Sequence, residues 1–481
     1  VIAHTPRDGA SLAKELNIDA VVAGSARLST ADAMRLFREA SLHDLGRWST
    51  AMADRILDAA GEGSICGTSG AKADTRTYIL DRNINYTNVC SAGCTFCAFK
   101  RDLGDADAYI LSTEQLHTKI QQLVDIGGTQ ILLQGGMHPE LPLSFYEDML
   151  RGIKQRFPHM HVHGFSPPEV VEFVAVCELE GFPSAAPGKG DTLDAAVWSK
   201  KLEAILRRLQ AAGLDSLPGG GGEIFAEHVR RRIGVGKATA KQWLDVMSMA
   251  HRLGMFTSAT MMFGHVEGVA DRIDHMARVR QAQDRAIAEK WPGRYVSFIA
   301  WPFQRENTPL GRLPEFDREA GEPFPGDVLA DAVAAGRIDG NDRAACDKVA
   351  PKAGKVNRMA SATDYLRMQA ISRLFLDNIH SIGSSWVTMG PKIGQLALYY
   401  GAADMGSVMM EENVVSAAGT TYCLNEQFLC HLIRGAGYIP AQRDNRYRVL
   451  HRHEGEQSPD LQVKDWSEHR AKKLHHEHAE T

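Results

Sequence analysis

Between residues 76 and 411 the hydrophobic period of the chain changes repeatedly, from helical spacing to short apolar runs and back. The run RTYILDRNINYT (76–87) reads as a strand. TEQLHTKIQQLVDIG (113–127) then leads into TQILLQGG (129–136), and FYEDMLRGIKQRF into HMHVHGFS (159–166). KLEAILRRLQAAG precedes LDSLPGGGGEIF, TAKQWLDVMSMAHRLG precedes MFTSATMMFGHVE (255–267), and RIDHMARVRQAQDRA precedes RYVSFIAWPFQ (294–304). Helices that stop near Gly and feed apolar strands are the rhythm of a parallel α/β sheet. Six units are plain, and SSWVTMG (384–390) and DMGSVMME (404–411) supply a seventh and an eighth. The expectation is a (β/α)8 barrel rather than an open sheet, with its chemistry at the C-terminal ends of the strands.

Text on either side of this repeat divides the chain. Residues 1–75 read as an N-terminal extension and helical cap, with Ala33, Leu36 and Phe37 on one face of STADAMRLFREA and a second helix reaching Leu57. The barrel spans 76–448. Stretches 181–200 and 313–361 look inserted, since they combine Pro, Gly and mixed charge without lasting periodicity, and are expected to be surface excursions. Residues 449–481 read as a polar, His-rich, disordered tail, with a metal-binding tail as the alternative.

Charge narrows the partners. Lys and Arg number 54 against 59 Asp and Glu, a net charge of −5, so no basic field points to nucleic acid. No apolar run reaches bilayer length, and the first residues, VIAHTPRDGASLAKEL, hold no signal-peptide core, which leads us to expect a cytoplasmic protein without a membrane partner.

Three of the eight cysteines, Cys90, Cys94 and Cys97, lie within NVCSAGCTFCAFKR, on a loop directly after the first strand. The other five are scattered, which is not a disulfide framework. Clustered thiolates suit iron–sulfur clusters or zinc. Zinc lacks a fourth ligand at finger-like spacing here, and burial as small hydrophobes is the remaining bland reading. Three ligands leave one iron of a four-iron cluster open to a small chelating molecule. Gln134, Gly135 and Gly136 end the second strand, where glycine lets backbone approach a ligand closely. Glu169 and Glu223 follow the third and fourth strands, and a carboxylate there can accept from two vicinal hydroxyls. Glu223 is preferred because Gly219–Gly222 permits close approach. His138, Ser166, His265, Glu267, Gln304, Asn307 and Glu411 also follow strand ends. His265, Glu267 and His138 are candidate proton-transfer groups, and Ser166, Gln304, Asn307 and Glu411 candidate substrate contacts.

The spacing C-x3-C-x2-C with Phe96 before the last cysteine resembles the radical S-adenosylmethionine (SAM) superfamily. RNINYTNVCSAGCTFCAFKR, LLQGGMHPELPLSFYEDMLRGIK, SLPGGGGEIFAEHVR, AHRLGMFTSATMMFGHVE and FIAWPFQRENTPLG resemble one group within it, the futalosine-pathway menaquinone enzymes and the deazaflavin (FO) synthase subunits. SSWVTMGPKIGQLALYYGAADMGSVMMEENVVSAAGTTYCLNE is most similar to the cyclising branch, which acts on dehypoxanthine futalosine. The resemblance covers roughly residues 25–448 apart from the two insertions. It implies a TIM-type radical SAM barrel and a [4Fe–4S] cluster on Cys90, Cys94 and Cys97. It further implies SAM beside Phe96, with its amino group at Gln134–Gly136 and its ribose at Glu223 or Glu169. A reductant such as flavodoxin or ferredoxin is also implied. The implied reaction takes hydrogen from the 4′ carbon of the substrate's ribose. That carbon then joins the substrate's aromatic ring, and one electron and one proton leave. A sister radical SAM synthase and a non-enzymatic metal-binding module are the alternatives.

Overall fold

The computed structural model describes residues 7–59, 70–188, 192–411, 413–420 and 422–469. The first strand runs as Thr75–Ile79 and Asp81–Asn85, interrupted at Leu80. Its second half pairs in parallel with Gln130–Gln134, which pairs with His161–Gly164. Its first half pairs in parallel with Asp404–Ser407. A second parallel sheet joins Thr257–Phe263, Tyr295–Pro302 and Ser381–Ile382, and Gly383 bridges to Asp404. The fourth unit contributes a single parallel bridge, His163 to Ser216. Beyond Ser216 the chain reads Leu217-Pro218-Gly219, and proline has no N–H to continue a ladder. Among the described residues no ladder joins this unit to Thr257–Phe263; the Met262 amide donates to the Glu223 carbonyl at 3.2 Å, and the Thr260 hydroxyl to the Gly219 carbonyl at 2.6 Å.

The seventh strand is not the one expected. It is Ser381–Ile382, and Trp386–Met389 within SSWVTMG is helical. The apolar Trp and Val suggested a strand, but Ser385 and Thr388 bond to each other at 2.7 Å and close a helical turn.

Side-chain direction follows from strand parity. Phe298 lies near His275 of the outer helix Val269–Ala288, so Ser297, Ile299 and Trp301 face inward. Paired residues share a face, which places Ser258 and Thr260 inward as well. Asp81 and Gln130 bond across the same inner side. Its N-terminal end is filled by the turn at 443–447. There Arg443 holds Asp404 through bonds of 2.7 and 2.9 Å, and Asn445 holds Gln130 at 2.7 Å.

The N-terminal helices Thr30–Glu39 and Leu42–Asp58 lie against Ala362–Phe375, where Arg367 donates to the Phe37 and Ala40 carbonyls. Two expected excursions are more ordered than their text. Residues 313–361 contain the helices Pro325–Ala334 and Arg343–Val349, whose Leu329 and Cys346 share a small core with Ala350 and Ala353. Both helices are too short to build the sustained periodicity that would have revealed them. Asp327 anchors them, accepting from the Val269 amide at 2.9 Å and pairing with Arg358. In 181–200 the helix Ala195–Ala212 begins inside the stretch, and Lys201 donates to the Pro183 carbonyl. Nor is 449–469 a free tail. Val449–Arg452 pairs antiparallel with Ile439–Arg443, itself parallel to Thr75–Ile79, and buried Asp460 pairs with Arg434. Residues 470–481 of the expected tail lie outside the described residues. No described helix is long and apolar enough to cross a membrane.

Candidate functional site

The cysteine loop leaves the first strand and is held from two sides. On one side Ser91 donates from its amide to the Met137 carbonyl (2.8 Å) and from its hydroxyl to buried Glu172 (2.6 Å). On the other, Gly93–Cys94 forms a two-residue antiparallel ribbon with Gly234–Val235, and the Thr95 amide donates to the Ile233 carbonyl at 2.8 Å. Gly136 is required by this docking. A Cβ there would sit 2.1 Å from the Val89 carbonyl oxygen and 2.9 Å from the Cys90 Cβ. The glycines at the second strand's end thus admit the cysteine loop itself, and Gly135 makes room for the Tyr86 ring.

The ribbon delivers Lys237, which the sequence reading missed because a lone Lys in GVGK carries no motif. Its ammonium lies 4.5 Å from the centre of the Phe96 ring and 2.6 Å from Glu223 Oε1. Glu223 Oε2 is buried with no hydrogen-bond partner among the described residues. Glu223 itself has a left-handed backbone, φ 42°, a conformation that costs a non-glycine residue of order 1–3 kcal/mol unless its surroundings impose it. Arg230, also missed, imposes it: its guanidinium donates to the Gly222 carbonyl at 2.7 Å and to those of Ile224, Gly221 and Ala238. Burial pushes the Cys94 thiol up to about 12, against the pull of nearby Lys237.

Several expected site residues have other work. Glu169 is 1% exposed and all its acceptor directions are used. Oε1 takes the Tyr86 hydroxyl (2.7 Å) and the Gly135 amide (3.0 Å), while Oε2 takes the Ser166 amide and hydroxyl (2.8 and 2.7 Å). It caps the helix Pro167–Val176 together with Ser166, whose hydroxyl is thereby committed, so neither is a free ligand group. Burial raises the Glu169 carboxyl to about 7. His265 and Glu267 are both 0% exposed. Glu267 accepts from the His265 amide (2.9 Å), Arg272 (2.7 Å) and the Gly264 amide (2.7 Å), with the His265 ring 3.0 Å away, and this buried set shapes the turn after Thr257–Phe263. Burial alone would raise the Glu267 carboxyl, but His265 and Arg272 hold it well below the usual range. Glu411 is bound to Arg82 (2.7 Å), Lys119 (2.9 Å) and Asn413 (2.9 Å), and so ties the C-terminal loop to the first strand and its helix. Asn307 is spent on the Ala417 carbonyl (3.0 Å), and the Gln304 amide nitrogen on that of Pro302 (3.0 Å). His138 accepts the Glu140 amide on Nδ1, and its Nε2 has no partner among the described residues. Burial lowers its pKa, which keeps the ring neutral at pH 7. The Gln134 side chain is half-buried and makes no hydrogen bond among the described residues.

Residues 84–279 match the Radical SAM superfamily, and residues 345–455 match the CofH/MqnC C-terminal region. A cyclic dehypoxanthine futalosine synthase of Halalkalibacterium halodurans is 38% identical over 424 residues, 88% of this chain and 92% of that protein. The chain belongs to the radical SAM family of these synthases. A second synthase of that name, from Streptomyces coelicolor, is 34% identical over 90% of this chain and 88% of its own. An aminodeoxyfutalosine synthase of Thermus thermophilus is 31% identical, covering 88% of this chain and 92% of that protein. Among solved structures, methylornithine synthase (PylB) superposes with a TM-score of 0.55 at 15% identity, covering 88% of this chain and 97% of that one. The fold is therefore the TIM-type radical SAM fold, and the protein is an enzyme of small-molecule metabolism. Family membership brings a [4Fe–4S] cluster and SAM as its cofactors.

The residues present suit those groups. Among the described residues no three Cys, His, Asp or Glu side chains form a cage for a single metal ion. A four-iron cluster makes no such demand, because its own sulfides separate the ligands and each thiolate meets a different iron. Beside the loop, the unpartnered Glu223 oxygen and the Lys237 ammonium offer an acceptor and a cation to a zwitterionic nucleoside.

Proposed function

We propose that this enzyme cyclises dehypoxanthine futalosine, and that Cys90, Cys94 and Cys97 would hold its [4Fe–4S] cluster, with SAM bound beside them. When bound, these cofactors supply a 5′-deoxyadenosyl radical. The observation that carries the site assignment is the ribbon between Gly93–Cys94 and Gly234–Val235, which sets Phe96, Lys237 and Glu223 beside the cysteine loop. Phe96 lines the adenine side. Glu223 Oε2 accepts from the ribose hydroxyls, and Gln134 faces the amino group. Of the three proton-transfer candidates His265 and Glu267 are fully buried beside each other, whereas His138 Nε2 has no partner among the described residues, so His138 takes the proton released when the substrate's ring regains aromaticity.

We read the two parallel sheets and the Ser216 segment as one closed eight-stranded barrel. The Gly383–Asp404 bridge and the Met262–Glu223 hydrogen bond at the two seams support this. The barrel orients the substrate and keeps water and oxygen from its radical. Electrons come from a small reductant such as flavodoxin or ferredoxin, in the cytoplasm, where thiols stay reduced. Cyclic dehypoxanthine futalosine synthases match at 38% and 34% identity over 88% and 90% of this chain, which supports the cyclase reading over a transferase.

Anaerobically reconstituted protein, incubated with SAM, reductant and dehypoxanthine futalosine, should yield 5′-deoxyadenosine and a product whose mass is unchanged or lower by two hydrogens. A product enlarged by an added fragment would make it a sister synthase. Absence of deoxyadenosine would end the radical SAM reading.

A further inference from the structure

We propose that Trp301 is one wall of the substrate site, and that its indole lies against the aromatic ring of an aromatic–pentose substrate. This deepens the cyclase reading and rests on it for the substrate's class. Parity places Trp301 on the inner side of Tyr295–Pro302, at the C-terminal end that opens toward the cysteine loop. Burial along the inward positions changes with depth. Ser297, His163 and Asp404 are buried near the 443–447 turn. Closer to the mouth, Leu132, Gln134, Thr260, Ile299 and Trp301 are partly exposed and the outward-facing residues between them are buried, as is Met262, which pairs with Trp301. Open surface is therefore left beside these side chains at the mouth-side end.

On the adjoining strand segment Gly383 puts no side chain into that space, and a Cβ there would meet Ile299 at 2.9 Å. The indole packs on one side against the hydrophobic core and is partly exposed on the other, so part of its apolar face is left open. Its N–H has no hydrogen-bond partner among the described residues. With the Thr260 hydroxyl nearby, the mouth offers one planar apolar face beside a polar group. That set recognises a ligand with an aromatic ring at one end and hydroxyls at the other.

The test uses SAM-loaded holoenzyme with an oxidised cluster, so that binding is measured without turnover. Calorimetric titration employs two probes, dehypoxanthine futalosine and 4-nitrophenyl β-D-ribofuranoside. Trp301→Leu keeps apolar bulk without the ring and should weaken both probes about tenfold, at unchanged iron content, SAM affinity and melting temperature. Trp301→Phe keeps a ring and should lose about threefold, for the missing N–H. Trp301→Leu binding as tightly as wild type overturns the proposal, as does wild type binding neither probe. Wild type that binds the substrate yet leaves it unconverted on reduction overturns the cyclase reading instead and leaves the wall in place.

Discussion

Replacing Glu223 with Gln should separate the ion pair this carboxylate makes from the ribose contact proposed for it. Toward the protein, Oε1 holds the Lys237 ammonium at 2.6 Å, with the side chains 5% and 11% exposed. Deleting one partner of so buried a pair outright costs about 3–5 kcal/mol. The Gln amide oxygen still accepts from the ammonium, so the expected loss of stability is nearer about 1–3 kcal/mol. Toward SAM, Oε2 is the unsatisfied acceptor. Hydrogen bonds from ribose hydroxyls to a charged oxygen contribute about 1.5–3 kcal/mol, or about 10- to 150-fold in affinity. Calorimetric titration of SAM into reconstituted Glu223→Gln, with iron content and melting measured alongside, reads both effects. The double variant Glu223→Gln/Lys237→Met discriminates between them. With both charges gone the ribbon should recover part of its melting temperature, while SAM affinity stays low. Wild-type SAM affinity in the single variant would refute the assignment of Glu223 to the ribose.

Ala at Cys90, Cys94 or Cys97 should abolish bound iron and its absorbance, whereas Ala at Cys177, Cys346 or Cys430 should not; full iron loading of Cys94→Ala would defeat the ligand assignment. Glu267→Gln leaves Arg272 buried without its counter-charge and should cost about 3–5 kcal/mol in urea unfolding; normal stability with lost turnover would return Glu267 to the catalytic groups. Burial raises the Glu411 carboxyl, but Arg82 and Lys119 outweigh it and hold the pKa below 4.5. A depressed acid stabilises the fold above its unfolded pKa and ceases to as pH falls through its folded one, so Glu411→Gln should flatten the acid side of a melting profile below about pH 4.5. Replacing 318–355 by a Gly/Ser linker removes Asp327 from the Val269 amide and strips the contacts around Leu329, so it should lower the melting temperature; an unchanged melt would show that this subdomain bears no load.

The parallel strands were legible wherever apolar runs were long: 76–87, 129–136, 255–267 and 294–304 each contain a strand found there. The failures share a cause. Ser381–Ile382 is too short to show a period, and Ile439–Arg443 lies beyond the repeat that drew attention. Position after a strand end, the rule that selected His265, Glu267 and Glu411, does not distinguish a side chain that turns into the mouth from one that turns into the wall. Counter-charges decide that, and Arg272, Arg82 and Lys119 are distant in sequence or unmarked by any motif. Glu223 was legible because four glycines precede it, whereas Lys237 and Arg230 acquire meaning only once the ribbon and its helix are folded.

The strand Ile439–Arg443 beside Thr75–Ile79 also sets a timetable for synthesis. Thr75 emerges from the ribosome early, and its partner Ile439 follows roughly 360 residues later, a wait of about 20–70 s at usual elongation rates. Throughout that interval one edge of the first strand has no mate, and an open strand edge is a template for pairing with another chain. A nascent chain of this design therefore carries an unmated strand edge through that interval, and one that stops short of residue 439 leaves that edge of Thr75–Ile79 open.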